Sequence, residues 1–202
     1  MARADKSIDP RILKSAREEF LAFGFEKASL KSICEQAEVT TGALYKRYKG
    51  KEELFCGVVH QTVEEMEAVL KEHTVDTGTL SDEVLVRAWD MDEPYMLWWF
   101  DFLYKRRDDF FLLLTCAAGT RYADFQHDWV EKMTDSSYAY YLEAYKRKLA
   151  GADIPRTELH VLLSAFWTTI YEPFIHHFTW EQIVTHSKLV CSLFNWETVM
   201  QF

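Results

Sequence analysis

Several things are scarce in this chain, and each scarcity excludes something. The seven glycines of 202 residues are scattered. None forms the glycine-rich loop that cradles phosphates, so a nucleotide-binding fold of that type is excluded. The four cysteines, Cys34, Cys56, Cys116 and Cys191, are far apart with no CxxC pair. That spacing argues against a disulfide framework or a cysteine zinc site and suits a reducing cytoplasm, where the chain is expected to reside. The N-terminal stretch MARADKSIDP has no apolar segment, so no signal peptide is expected. The nearest approach to a membrane span, Tyr95 to Leu114, is interrupted by Asp101 and by Lys105, Arg106, Arg107, Asp108 and Asp109. Charges at those positions make a crossing expensive, and no membrane partner is expected.

Positive charge is also short, with a formal net of −9, but the shortage is uneven. Residues 1–51 hold 11 Lys+Arg against 7 Asp+Glu, a net of +4, while the remainder holds 12 against 25, a net of −13. A basic head on an acidic body is what is expected when only the head touches phosphate. The ordinary balance of 49% hydrophobic and 27% charged residues gives a globular chain with material for a sizeable core.

The stretch SLKSICEQAEVTTGALYKRYKGKEEL, Ser29 to Leu54, carries the densest pattern. It reads as two short helices, a tight turn at Glu38-Val39, and the start of a longer helix. Ser29 and Thr40 are N-caps, whose side-chain oxygens accept orphan backbone N–H groups. Leu30, Ile33, Cys34 and Ala37 lie at inward spacing, as do Leu44 and Tyr48. That leaves Thr41, Gly42, Tyr45 and Lys46 on the outer face of the second helix, first small, then aromatic, then basic. A helix with such a face fits the major groove of DNA.

The run I-C-x-x-A-x-V-T-T-G-A-L-Y-K-R-Y-K-x-K-E-E-L resembles the helix-turn-helix of TetR-family transcriptional regulators, roughly I-A-x-x-A-G-V-S-x-G-x-L-Y-x-[HY]-F-x-x-K-E-x-L. The resemblance covers about a quarter of the chain, from about Ile12 to Leu54. Cys34 replaces a small alanine, and Glu38 stands where many members have glycine. If the backbone there is left-handed, a non-glycine residue costs on the order of 1 kcal/mol. The resemblance implies that Thr41, Gly42 and Lys46 approach base edges. Ser29, Thr40, Tyr45 and Lys51 would hold phosphates, the lysine with help from the N–H groups of its helix start.

In chain order, residues 1–8 read as a polar, weakly basic arm with Arg3 and Lys6. Asp9 caps and Pro10 opens a first helix, with Leu13, Ala16, Phe20 and Phe23 inward and Gly24 as its stop. Residues 1–50 then form a three-helix DNA-binding head. A fourth helix runs from Gly50-Lys51 to about Glu72, and residues 51–202 form a larger helical domain for ligand binding and dimerisation. A loop lies near residues 74–80, and a short helix spans Ser81 to about Asp90. Pro94 opens the next helix, and a long one covers about Tyr122 to Leu149.

All seven tryptophans lie at Trp89 or beyond. Such aromatics build a core and can also wall a cavity for a flat or greasy ligand. The candidate ligand-binding residues are Trp98, Phe102, Tyr138, Phe166 and Ile170. Residues 157–178 and 180–201 are apolar over more than one face. In the second, Ile183, Ser187, Val190 and Phe194 form one stripe, and Leu189, Leu193, Trp196 and Met200 another. Two stripes imply burial on two sides. The resemblance implies homodimerisation through these two helices, and Pro173 should kink the first.

Catalysis and metal binding find little support. The adjacent His176 and His177 diverge by about 100° on a helix and cannot easily share an ion. His160 and Ser164, one turn apart, lack an orienting acid. Arg106-Arg107-Asp108-Asp109 reads as a solvated helix junction. No enzyme activity, cofactor or metal is expected. The fold expected is all-α. The function expected is a regulator, mostly a repressor in this family, released from a pseudo-palindromic operator in double-stranded DNA by a small hydrophobic or aromatic effector. The alternatives are a DNA-binding protein with no small-molecule ligand, answering to a protein partner or acting on the nucleoid, and a helical enzyme with an incidental helix-turn-helix.

Overall fold

The structure, a computed structural model, describes residues 8–72 and 74–202, and among them there are helices and no strands. The arm with Arg3 and Lys6 lies outside the described residues. The chain divides into two compact units. The first takes the chain to Glu65 together with Arg106–Phe125, and the second takes Met66–Lys105 with Gln126–Phe202. The first unit is therefore larger than a head ending at residue 50.

In the first unit, α1 (Ile8–Lys27) buries Ile12, Ala16 and Phe20 completely. Two expectations need correcting here. The helix begins by Ile8 rather than after an Asp9 cap, and the Asp9 carboxylate instead receives the Arg47 guanidinium. Phe23 faces solvent at 56% exposure, while Ile12 and Glu19 take the inward places. Gly24 does interrupt the helix, at φ 72, a region glycine enters without a Cβ penalty. Beyond it Phe25 joins Phe20 and Phe55 in a cluster of three rings with centroids 5.1–6.2 Å apart.

Helices α2 (Leu30–Gln36) and α3 (Thr41–Tyr45) follow, and then α4 (Lys51–Glu72). Gly57 lies inside α4, where glycine normally weakens a helix by about 1 kcal/mol. Its reason is Tyr48, since a Cβ at residue 57 would lie 3.0 Å from the tyrosine ring. The first unit is completed by α7 (Arg107–Phe111) and a π-helical segment, Leu112–Cys116. The junction at residues 106–109 is not merely solvated. Arg17 holds Asp109 through two nitrogens at 2.5 and 3.1 Å, the Thr62 hydroxyl donates to the same carboxylate at 3.2 Å, and Arg106 pairs with Glu65. Glu65, bonded by Gln61 and Arg106, is held below the usual carboxylate range.

The second unit contains α5 (Asp82–Arg87), α6 (Glu93–Tyr104), the length of α8 (Phe125–Lys146) beyond its first residue, α9 (Arg156–Ile175), α10 (Trp180–Leu193) and α11 (Trp196–Met200). Polar caps set the boundaries: Ser81 for α5, Asp92 for α6 and a Thr179–Gln182 capping box for α10. Arg147 anchors the loop before α5 by donating to Leu80 O at 2.7 Å and Gly78 O at 3.0 Å. Helix α9 continues through Pro173, which lies in its last turn. The continuous helix expected over residues 180–201 breaks at Phe194-Asn195. Asn195 caps α11 by accepting Thr198 N–H at 2.9 Å, and Trp196 and Met200 become buried rather than extending an outer stripe.

Candidate nucleic-acid interface and effector cavity

The two short helices of the head are held by polar contacts at both ends. Ser29 accepts the Ser32 N–H at 3.3 Å and Thr40 accepts the Ala43 N–H at 3.1 Å, so both expected caps form. The start of α2 is also bound from below. Glu19, 4% exposed on α1, accepts Ser29 N–H at 2.9 Å and the Ser32 hydroxyl at 2.8 Å. The end of α3 is tied down by Arg47, which reaches Asp9 and donates to Ala43 O at 3.2 Å. Ile33, Cys34, Ala37 and Leu44 are buried between these fixings.

The turn between α2 and α3 is left-handed at Glu38, with φ 55. Val39 N–H reaches Cys34 O at 3.0 Å and Glu38 N–H reaches Glu35 O at 3.2 Å, the two bonds of a Schellman ending. The position is the one glycine favours, and the Glu38 carboxylate takes Arg11 as its partner at 3.4 Å.

Thr41, Gly42, Tyr45 and Lys46 are all exposed, Tyr45 at 53%. Gly42 has nothing but the Thr40 hydroxyl within 4.0 Å of where a Cβ would stand. Its small size serves no internal packing. Lys51 differs from a free surface charge. Its Nζ donates to Glu26 O at 2.7 Å and Ala28 O at 3.2 Å and lies 4.9 Å from the centre of the Phe25 ring. One of its three protons is left for an outside acceptor. Sequence reasoning missed Glu19 and Arg47, because a charge that turns inward has the same sequence signature as one that faces water.

The second unit encloses a cavity of about 300 Å³. Of the candidate ligand-binding residues, Phe166 and Ile170 line it, whereas Trp98, Phe102 and Tyr138 do not. On α6 the lining residues are Tyr95, Met96 and Trp99, so Trp98 and Phe102 stack on each other on the other face, with ring centroids 5.7 Å apart. On α8 the wall is Trp129, Met133, Ser136, Ser137 and Tyr140, one face at spacings of three and four, and Tyr138 stacks on Tyr141 instead. That periodicity was the available signal. Burial pushes the Tyr95 and Tyr140 phenols up, keeping both protonated and neutral. Arg87 and Asp90, both exposed, are the charged groups of the wall. The buried indole N–H groups of Trp89 and Trp196, also in the wall, have no acceptor.

His176 and His177 end α9, His177 being left-handed at φ 51. The Ser164 hydroxyl donates to the His160 carbonyl at 2.8 Å rather than to its ring, so no nucleophile–base pair forms there.

A capped pair of short helices with an exposed, small-then-basic face, followed by a helical unit with an aromatic cavity, is a helix-turn-helix arrangement. Residues 12–57 match the model of the tetR family of bacterial regulatory proteins. The HTH-type transcriptional regulator UidR of Escherichia coli strain K12 is 39% identical over 62 residues, 31% of this chain. The chain spans about a third of the length of that relative, 32%. Among solved structures, NalD, the secondary repressor of the MexAB-OprM multidrug efflux pump in Pseudomonas aeruginosa, aligns over 93% of this chain and 94% of its own, with TM-score 0.63 and 17% identity. The transcriptional regulator FadR of Bacillus subtilis, solved with stearoyl-CoA, aligns over 91% and 96%, with TM-score 0.60 and 14% identity. At these identities the two structures share the fold.

Proposed function

We propose that the chain is a transcriptional regulator that binds a pseudo-palindromic operator in double-stranded DNA as a homodimer and is released by an apolar effector. The observation that carries the reading is the outer face of α3. Thr41, Gly42, Tyr45 and Lys46 are exposed together on a helix whose caps and inward side are satisfied within the head. Thr41, Gly42 and Lys46 approach base edges, while Ser29, Thr40 and Tyr45 contact phosphates. Lys51 contributes through its remaining proton and through the N–H groups at the start of α4.

The dimer forms through α9 and α10. Val161, Leu189 and Leu193 are 59%, 65% and 68% exposed, an apolar surface on the two helices expected to pair. The cavity of the second unit takes the effector. Its aromatic wall suits a flat or hydrophobic molecule, and the unpartnered N–H groups of Trp89 and Trp196 favour one carrying an acceptor such as a carbonyl. Effector and DNA then oppose each other through reciprocal coupling. FadR of Bacillus subtilis, with its bound acyl-CoA, is a precedent for an apolar ligand on this fold.

The test is retention of sheared DNA from the source organism by the purified protein, followed by sequencing. A few enriched sites sharing an inverted repeat support the reading. Broad retention with no shared motif favours a nucleoid-type protein, and no retention rejects the DNA-binding role.

A further inference from the structure

A second cluster in the body has no part in the cavity or in DNA binding. His127 and Glu131 lie one turn apart on α8, and His160 lies in the second turn of α9. A ring nitrogen of each histidine and a carboxylate oxygen of Glu131 fall within 4.8 Å of one another. The two imidazoles meet edge to face with centroids 5.6 Å apart, and His160 Nδ1 is 3.4 Å from Glu131 Oε1. His127 is exposed and the other two are half-buried, so an ion can enter from solvent.

The surroundings organise this cluster. Arg156 donates to Glu131 Oε2 at 2.6 Å and to Asp135 Oδ1 at 2.5 Å. It thereby fixes the carboxylate by one oxygen and leaves Oε1 turned toward the histidines. On the other side the Thr134 hydroxyl donates to Val130 O at 2.7 Å and meets His160 Nδ1 at 3.2 Å, which restrains the imidazole. Outer groups that hold ligating side chains in place are a regular part of metal sites.

We propose that His127, Glu131 and His160 form a binding site for a divalent transition-metal ion of the zinc class. Two imidazoles and one carboxylate suit zinc, cobalt or nickel, and they leave at least one coordination position open to water. The three ligand atoms lie within 4.8 Å of one another, so binding a tetrahedral ion requires them to draw closer together. The ion would tie the first turns of α8 to the start of α9. Sequence reading missed the site because His160 lies 33 positions from His127, and only packing of the helices brings them together.

The test is a titration of the chelator-treated, tag-free full chain with Co²⁺, read by its visible d–d absorption and by competition with Zn²⁺. The expected result is one tight equivalent per chain with a tetrahedral spectrum. His127→Ala and His160→Ala should abolish the spectrum, while Arg156→Gln should weaken binding about 10–100-fold. A His176→Ala/His177→Ala variant should bind as the parent does, and circular dichroism should report unchanged helix content in every variant. Weak octahedral Co²⁺ binding, or binding that survives loss of both His127 and His160, overturns the proposal.

Discussion

The buried Glu19 carboxylate receives the backbone N–H of Ser29, at 2.9 Å, from one helix earlier in the chain. An acidic side chain in that place lies at the positive end of α2, and it fixes where the pair of short helices begins. Glu19→Ala leaves two part-buried donors, Ser29 N–H and the Ser32 hydroxyl, without their acceptor and should destabilise the head by about 1 kcal/mol. Urea unfolding followed by circular dichroism measures this. Loss of operator affinity should track the loss of folded protein.

Gly42→Ala separates folding from recognition. Nothing crowds the added methyl, and alanine in a helix is favoured over glycine by up to about 1 kcal/mol. The melting temperature should hold or rise while operator affinity falls, as anisotropy titrations would record. Unchanged affinity would remove Gly42 from the DNA interface.

Glu38→Gly should stabilise the chain. The left-handed backbone at φ 55 costs a residue with a side chain about 1 kcal/mol, against a loss of a half-exposed ion pair with Arg11 worth ~0.5 kcal/mol. A rise in the urea midpoint with an unchanged slope is the expected outcome. On the proposed α3 contacts, operator binding should also tighten at low salt, because a carboxylate leaves the turn beside that helix.

Lys51→Met tests two roles at once. The donors to Glu26 O and Ala28 O are lost, so stability should fall by about 1 kcal/mol. If the remaining proton also meets phosphate, the slope of log affinity against log salt should flatten by about one unit per contact. A stability loss with an unchanged slope would make this lysine structural alone.

Leu193→Glu places a charge on the exposed face of α10, where the leucine is 68% exposed. The fold should be unaffected. Sedimentation should show a shift from dimer to monomer, and operator binding should weaken accordingly. A variant that remains dimeric would move the interface elsewhere.

The reading head was legible in the sequence because its signals are local. Ser29 and Thr40 cap within three residues, and Leu44 lies inward by a spacing that needs no partner to be named. What escaped was set by packing between distant segments. Trp98 and Trp99 are neighbours of the same type, yet only Trp99 faces the cavity, and the choice rests on which way α6 turns against the rest of its unit. The break at Phe194-Asn195 was hidden because Trp196 and Met200 continue a helical period across a cap that Asn195 makes. Residues 106–109 looked solvated because Arg17 and Thr62, which engage Asp109, lie 92 and 47 positions earlier.

The ion pair of Arg17 with Asp109 bears on how such a chain can be recombined. The first unit is not a contiguous stretch, since residues 106–125 return to it after a long excursion. A crossover near residue 50 that grafted this head onto another body would leave Arg17 facing a stranger's side chain and Phe20 without the Phe55 ring. On the proposed DNA contacts, exchange of specificity is therefore easier by a few substitutions on the α3 face than by transplanting the head. Any functional chimera needs a second junction that carries the α7 segment with it.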